Sequence, residues 1–171
     1  MLLKNLINIL PETKKKIKIT GLSTNSKEVK RGHIFFAIKG NNNNGEKYIK
    51  EAINKGASVI VCSNNFKYKD KKIFIIKKKN IRNFVSEVSS RFYNLKPKNI
   101  IAVTGTNGKT SVADLFYQIL FLNNISVASI GTLGIKYKNK IIKTGLTSPD
   151  TISIHKYLQI LKIFMNWNCV R

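Results

Sequence analysis

A short apolar run that leads into a glycine-containing loop and then a helical pattern is the strongest constraint in this sequence. The run, residues 99–104, has the composition of a buried strand, and Gly105-Thr106-Asn107-Gly108-Lys109-Thr110-Ser111 follows it. Glycines let the backbone approach an anion closely, so the loop N–H groups and the helix N-terminus can face phosphates. We expect Lys109 to reach the β- and γ-phosphates of a nucleotide and the Thr110 hydroxyl to bind Mg²⁺.

The loop is a shortened form of the common phosphate-binding pattern. The full pattern has a glycine five residues before Gly108, where this chain has Val103. A Gly-x-x-Gly-Lys-Thr match is weak by itself, and it becomes informative because it stands between a predicted strand and a predicted helix. The alternative is an ordinary strand–helix turn that carries an exposed Lys109.

The basic composition is compatible with two classes of partner. The 171 residues carry a net charge of +23, and clustered basic side chains bind the phosphates of nucleic acids. Here the lysines are spread over all segments, among many asparagines and isoleucines, which is typical of an A/T-biased coding sequence. An anionic small substrate suits the charge at least as well, so we expect no nucleic-acid partner.

The rest of the composition indicates a globular protein without a cysteine-based site. Hydrophobic residues make up 43% of the chain, which is enough to bury a core. Cys62 and Cys169 lack the spacing of a zinc site or a disulfide framework. Because no apolar stretch has the length that spans a bilayer and no cleavage pattern follows the N-terminus, we expect a cytoplasmic protein without a membrane partner. We also expect a monomer.

Alternating strand and helix patterns predict an α/β fold in two domains. Apolar residues at helical spacing predict one helix that ends at Gly56 and another that begins at Asn80. Lys96-Pro97-Lys98 is typical of a linker, so we predict an N-terminal domain at 1–95 and part of a second domain at 96–171. The predicted strands of the first domain are 33–38, 57–62 and 73–76.

The N-terminal segment is predicted to be less regular. Residues 1–10 have the pattern of a short amphipathic helix that Pro11 stops, and residues 21–26 have the small polar side chains of a turn.

The second domain is predicted to start a parallel sheet. Strand 99–104, the following helix and a strand at 125–130 form a βαβ unit, which implies parallel pairing. A hairpin is predicted at 135–144, and Asp150 is a candidate N-cap of a further helix. The helical pattern stops after Phe164, so we expect a truncated domain with exposed apolar edges.

Several motifs together resemble the Mur ligases. The phosphate loop is followed by Gly131-Thr132-Leu133-Gly134 and Leu146-Thr147-Ser148-Pro149-Asp150, and it is preceded by Leu22-Ser23-Thr24-Asn25-Ser26-Lys27 and Gly40-Asn41-Asn42-Asn43-Asn44-Gly45. Within the family the N-terminal segment is most similar to the branch that adds the third peptide residue, usually meso-diaminopimelate. The family's Asp-Ser-Arg stands here as Asn25-Ser26-Lys27, and its Asp-Gly stands as Asn44-Gly45.

The resemblance implies an ATP- and Mg²⁺-dependent amide ligase of cell-wall precursor synthesis, acting through an acyl phosphate. Its substrates would be UDP-MurNAc-L-Ala-D-Glu, ATP and an amino acid. Lys109 would be the catalytic residue and Thr110 the metal ligand. The implied ATP-binding residues are Gly105, Thr106, Asn107, Gly108, Lys109, Thr110 and Ser111. The implied UDP-substrate residues are Thr24, Ser26, Asn41, Asn42, Asn43, Thr147 and Ser148.

Two other readings stay open. Because the family's later catalytic segments and its C-terminal domain are absent from these residues, the chain is expected to be inactive alone. It would then be a non-catalytic nucleotide-binding fragment or a decayed gene product. A basic nucleic-acid binder is the third hypothesis, and it would show strongly salt-dependent binding.

Overall fold

The chain divides into two compact units, Met1–Phe92 (unit 1) and Tyr93–Arg171 (unit 2). No helix among the described residues is long and apolar enough to cross a membrane. The computed structural model describes residues 1–40, 44–67, 73–143 and 149–166.

Unit 1 is built on a four-stranded parallel sheet, which confirms the predicted α/β class. The spatial order of the strands is the same as their order in the chain. The register pairs Leu22 with Ile34, and Ile60 of the third strand lies between Phe35 and Ile75. The strands are β1 (Gly21–Ser23), β2 (His33–Phe36), β3 (Val59–Cys62) and β4 (Phe74–Lys77).

Helices of unit 1 supply the other side of its core. The α1 helix (Ile49–Asn54) ends before Gly56, which has a φ of +91°, and the α2 helix (Ile81–Phe92) is capped by Asn80. The Asn80 side chain accepts a hydrogen bond from Asn83 N at 3.1 Å, as expected of an N-cap. Members of one buried cluster come from β2, β3, α1 and the segments beside them: Val29, Phe35, Ala37, Ile49, Ala52, Ala57, Ile60 and Cys62.

Two predictions for the start of unit 1 were wrong. The segment 21–26 was predicted as a turn, but its first three residues form β1, because β2 provides a parallel partner and all three are buried. The N-terminal helix is replaced by two 3₁₀ turns, Leu3–Asn5 and Glu12–Lys14. Hydrogen bonds from this segment to later residues, such as Leu3 N to Ile17 O at 2.9 Å, hold the backbone away from a continuous helix.

Unit 2 contains two long helices and an antiparallel three-stranded sheet. The predicted cap of the second helix is confirmed, since Asp150 Oδ1 accepts from Ser153 N at 2.9 Å. The predicted hairpin is also present, with Lys138 at a φ of +52° between its strands. The elements are α3 (Lys109–Leu122), β5 (Ala128–Gly131), β6 (Gly134–Tyr137), β7 (Lys140–Ile142) and α4 (Thr151–Asn166).

The predicted parallel pair in unit 2 is not formed among the described residues. Residues 101–104 have no strand pairing, and the side chain of Ile101 is 67% exposed. The strand predicted at 125–130 is β5, and it pairs antiparallel with β6 across a two-residue turn. An apolar β-branched sequence favours an extended backbone, but only a neighbouring strand makes it part of a sheet.

Candidate functional site

The phosphate loop (Gly105–Thr110) leads directly into the first turn of α3. Gly108 precedes the helix with a φ of +75°, a backbone conformation that glycine adopts without the steric cost of a Cβ. Its carbonyl accepts the first helical hydrogen bond, from Val112 N at 2.9 Å. Because glycine has no side chain to cap the helix, the first-turn N–H groups are left for an anion.

The Lys109 side chain folds back over this loop. Its ammonium donates hydrogen bonds to the carbonyl oxygens of Gly105 and Thr106, the latter at 3.1 Å. All residues from 101 to 110 are exposed. The loop therefore presents a positive charge and backbone amides together on an open surface, an arrangement that suits polyanionic phosphate groups.

The Thr110 hydroxyl lies beside these amides, and its oxygen is the kind of ligand that Mg²⁺ prefers. Magnesium takes oxygen ligands, keeps several waters and is completed by substrate phosphates, so one protein hydroxyl can be sufficient. In the part of the chain that the structure describes, no group of three or more His, Cys, Asp and Glu side chains could hold a metal ion. A metal at this loop would therefore depend on the nucleotide for most of its charged ligands.

Three polar contacts join one face of α3 to the β5–β6 hairpin and the residue that follows it. The Thr110 and Thr132 hydroxyl oxygens lie 2.9 Å apart, and Asp114 forms an ion pair with Lys136. One turn further along α3, the Tyr117 hydroxyl donates to the carbonyl of Lys138. The helix positions 110, 114 and 117 share a face of α3. Their partners lie in the β5–β6 turn (Thr132), on β6 (Lys136) and just after β6 (Lys138).

Asp114 is held in its ionised form by these contacts. The hydrogen bond from Lys136, followed by one from Gln118 Nε2 at 2.8 Å, lowers the pKa of the Asp114 carboxyl below its ordinary value. The carboxylate therefore links α3 to β6, with one contact to Lys136 on the hairpin and one to Gln118 on α3 itself.

In unit 1 two of the predicted substrate residues lie just after the carboxyl end of a parallel strand. Thr24 and Ser26 follow β1, whose neighbour in the sheet is β2. The carboxyl ends of parallel strands meet at one edge of the sheet, which is where open α/β sheets bind ligands.

The Ser26 hydroxyl is buried and has a defined donor partner. It donates to Glu51 Oε2 at 2.7 Å, and Glu51 Oε1 accepts from the Lys55 ammonium at 2.8 Å. The Lys55 hydrogen bond is the main cause that lowers the pKa of Glu51, and the Ser26 hydrogen bond adds to it. The α1 helix thus fixes both the position and the proton of the Ser26 hydroxyl.

A second carboxylate fixes the end of the β2 loop. Glu46 Oε1 accepts from Ser63 N at 3.1 Å and from Ser63 Oγ at 2.6 Å, just beyond β3. Gly45 lies so close to the segment that follows β2 that a Cβ would stand 2.6 Å from the Ile38 carbonyl oxygen. The loop therefore returns to the carboxyl edge of the sheet at a fixed point.

The described residues bring together only part of the predicted site. Within unit 2 the phosphate loop contains the predicted ATP-binding residues from Gly105 to Thr110, with Ser111 next in α3. Within unit 1 Thr24 and Ser26 lie at the sheet edge. The predicted substrate residues Asn41, Asn42, Asn43, Thr147 and Ser148 lie outside the described residues. The sequence indicated neither the contact of Glu51 with Ser26 nor that of Thr132 with Thr110. Thr132 belongs to a motif quoted for the family resemblance, which was the one available signal.

Two family matches cover most of the chain. Residues 18–93 match the Mur ligase family, catalytic domain, and residues 103–163 match the Mur ligase middle domain. The first match ends one residue beyond unit 1 and the second lies within unit 2, in the order expected from the resemblance.

Curated relatives that are similar to this chain in sequence carry one common name. The UDP-N-acetylmuramoyl-L-alanyl-D-glutamate--2,6-diaminopimelate ligase of Rickettsia prowazekii is 42% identical over 144 residues, which cover 81% of this chain and 29% of that protein. The ligase of the same name from Clostridioides difficile is 38% identical over 152 residues, covering 88% and 31%. The chain thus spans less than a third of the length of these relatives.

Solved structures share the fold. A UDP-N-acetylmuramoyl-L-alanyl-D-glutamate--2,6-diaminopimelate ligase superposes with a TM-score of 0.79 at 21% identity, over 96% of this chain and 34% of that one. MurF ligase from Thermotoga maritima, solved in complex with ADP, superposes with a TM-score of 0.53 at 27% identity, over 81% and 29%.

Proposed function

This chain belongs to the Mur ligase family, and on that premise we propose that it is the front part of an ATP-dependent ligase of peptidoglycan precursor synthesis. The proposed substrates of the whole ligase are UDP-MurNAc-L-Ala-D-Glu, ATP and an amino acid, with meso-diaminopimelate favoured by the names of the relatives. We further propose that the protein is a cytoplasmic monomer that binds neither nucleic acid nor membrane.

The arrangement of Gly108, Lys109 and Thr110 at the start of α3 is the observation that carries the ATP-binding proposal. It supplies backbone donors, a positive charge and an oxygen ligand at one place. Stabilisation of a transferring phosphoryl group depends mainly on such positioning and charge.

Each of these residues has a distinct proposed task. The N–H groups from Thr106 to Lys109 bind phosphate oxygens, and Lys109 exchanges its contacts to the loop carbonyls for the β- and γ-phosphates. Thr110, with Ser111 beside it, holds Mg²⁺, which when bound would neutralise phosphate charge. The chemistry is transfer of the γ-phosphoryl group of ATP to the substrate carboxylate, which gives an acyl phosphate and releases ADP. An amine then attacks the acyl carbon, forms the amide bond and releases phosphate.

The carboxyl edge of the unit 1 sheet is the proposed site for the uridine diphosphate end of the substrate. Since the Ser26 proton is directed to Glu51, the Ser26 oxygen is left to accept a hydrogen bond from an N–H or O–H of the ligand. Thr24, Asn41, Asn42 and Asn43 are proposed to complete this end. Thr147 and Ser148 are proposed to contact the sugar-peptide.

Calorimetric titration of the purified chain tests both halves of the proposal. We expect saturable binding of UDP-MurNAc-L-Ala-D-Glu and, separately, of Mg²⁺-ATP. Lys109→Ala should abolish measurable ATP binding because it removes the positive charge at the loop, and it should leave binding of the UDP substrate unchanged. A folded chain that binds neither ligand would overturn the proposal.

A nucleotide-binding module without turnover is the second candidate. The exposed apolar face of α3 supports this second candidate, with Leu115 at 59% and Ile119 at 58% exposure. Among the described residues, the domain around the phosphate loop has no packing partner for this face. An assay for ADP release in the presence of all three substrates separates the candidates. Binding without ADP release would favour the module, and ADP release dependent on the amino acid would favour the ligase.

A further inference from the structure

A second hydroxyl lies beside the proposed metal ligand and comes from a different element. Thr110 Oγ1 and Thr132 Oγ1 are 2.9 Å apart, and either can be the donor in this arrangement. Thr132 belongs to the turn between β5 and β6, which is 22 residues further along the chain. Its proximity to the phosphate loop therefore results from the fold of unit 2.

Binding of a cation removes the freedom in the direction of this hydrogen bond. A threonine hydroxyl has one proton and two lone pairs. When it ligates a cation, one lone pair points at the metal and the proton must point to an acceptor elsewhere. The cation also withdraws charge from the hydroxyl and makes it a stronger donor. Thr132 Oγ1 is an acceptor already at hydrogen-bond distance.

We propose that Thr132 is a positioning residue for the metal-ligating hydroxyl of Thr110. Thr132 accepts the Thr110 proton and thereby turns a lone pair of Thr110 toward Mg²⁺. This inference rests on the proposed binding of Mg²⁺-ATP at the phosphate loop. Thr132 itself contacts neither the metal nor the nucleotide.

Two further contacts hold the β5–β6 hairpin against the same face of α3. Lys136 on β6 forms an ion pair with Asp114, and the Tyr117 hydroxyl donates to the carbonyl of Lys138, just after β6. The helix positions 110, 114 and 117 share a face. These contacts therefore help to hold Thr132, in the turn between β5 and β6, beside Thr110.

The test is a titration of the full chain with ATP, once with excess Mg²⁺ and once with EDTA. In Thr132→Val we expect roughly a three- to tenfold loss of affinity for Mg²⁺-ATP, the range of one hydrogen bond. Affinity for metal-free ATP should not change, because Thr132 does not contact the nucleotide. Thr132→Ser keeps the hydroxyl and should bind Mg²⁺-ATP as the wild type does.

A Thr110→Val background provides the matched control. Without the Thr110 hydroxyl, adding Thr132→Val should produce no further loss of Mg²⁺-ATP affinity, since the two residues act as one unit. Additive losses would overturn the inference, and so would equal losses with and without Mg²⁺, which would indicate a purely structural role. Circular dichroism of each variant verifies that it is folded.

The failure of this inference is distinguishable from failure of the proposed function. Wild-type chain that binds ATP more tightly with Mg²⁺, together with an unaltered Thr132→Val, would overturn the inference alone. Wild-type chain that gains no affinity from Mg²⁺ would overturn both the proposed metal site and the role of Thr132.

Discussion

The helices α2 and α3 have similar apolar spacing but opposite surroundings. In α2 the apolar positions are buried, with Phe84 at 7% and Val88 at 0% exposure. In α3 the corresponding kind of position is open, with Leu115 at 59% and Ile119 at 58%. Apolar periodicity defines which face of a helix is available for packing, and the neighbouring elements decide whether that face is covered.

The two units also differ in the contacts that stabilise each of them internally. Most buried apolar side chains that the structure describes lie in unit 1, around the parallel sheet. The buried apolar residues described in unit 2 are Tyr117, Ile135, Ile152 and Leu161. Unit 2 is therefore expected to depend more on its turns and polar contacts, and unit 1 on its core.

The largest expected effect comes from the same substitution made in each unit. Ile60→Ala on β3 removes a fully buried side chain and should lower the free energy of unfolding of unit 1 by about 2–5 kcal/mol. Ile119→Ala on α3 should change that of unit 2 by about 0.5 kcal/mol or less, since its side chain is mostly exposed. Urea titration followed by hydrogen exchange of peptides from each unit measures both.

Comparable losses from the two isoleucine substitutions would break the contrast between the units. That outcome would mean that the α3 face is covered in solution. Exchange protection of α3 peptides that increases with protein concentration would then identify association between copies.

The next effect tests how much unit 2 depends on the backbone conformation at the point where the β5–β6 turn enters β6. Gly134 has a φ of +93°, and a Cβ there would stand 2.4 Å from the Ile142 carbonyl oxygen. Gly134→Ala should therefore destabilise the hairpin by about 2–3 kcal/mol, measured as faster hydrogen exchange in β6 and β7. Gly108→Ala is the control, because its φ is +75° with open space around it, and about 1–2 kcal/mol is expected. Equal effects would show that the close approach at Gly134 is relieved without cost.

A smaller effect compares the two lysine-bound carboxylates. Glu51 in unit 1 and Asp114 in unit 2 both have a lowered pKa, caused chiefly by hydrogen bonds from Lys55 and Lys136 respectively. Each folded carboxyl binds its proton more weakly than in the unfolded chain. Its contribution to stability is therefore present above the unfolded pKa and is lost as the pH falls through the folded pKa.

Carboxyl ¹³C titration by NMR measures these two groups directly. Both midpoints should lie below the ordinary values of 4.5 for Glu51 and 3.8 for Asp114. Lys136→Met should raise the midpoint of Asp114 and leave Glu51 unchanged, and Lys55→Met should do the reverse. A midpoint that ignores its own lysine would contradict the pairing.

The smallest effect is expected at an exposed ion pair of unit 1. Glu12 pairs with Lys15 three residues later, but its side chain is 84% exposed. Glu12→Ala should change the free energy of unfolding by about 0–0.5 kcal/mol, because solvent screens such pairs. A change above about 1 kcal/mol in urea titration would show that the 3₁₀ turn supports the core of unit 1.

Local patterns predicted those elements whose causes are local. The caps at Asn80 and Asp150, the stop at Gly56 and the run that forms β3 depend on residues close in sequence, and the structure has each of them. In contrast, β1 consists of small or polar residues beside a leucine, and it is a strand because β2 lies alongside. No periodicity within 21–26 contains that information.

The candidate site likewise has one part that the local sequence predicted and another that depends on residues distant in sequence. The phosphate loop is contiguous, so spacing alone indicated it, and its binding role stays a prediction. Glu51 is 25 residues from Ser26, and Thr132 is 22 residues from Thr110, so their contacts depend on how a helix packs against a sheet or hairpin. Pairings across such separations were outside the reach of motif analysis.

The sequential order of the four parallel strands has a consequence for synthesis on the ribosome. Since β1 to β4 are neighbours in space in the order in which they are made, each new strand meets a partner that has already left the ribosome. At about 5–20 residues per second, the gap between successive strands gives the growing sheet roughly a second to add each one. The sheet of unit 1 can thus be assembled from one edge to the other during translation, and at each stage β1 and the newest strand are its two open edges.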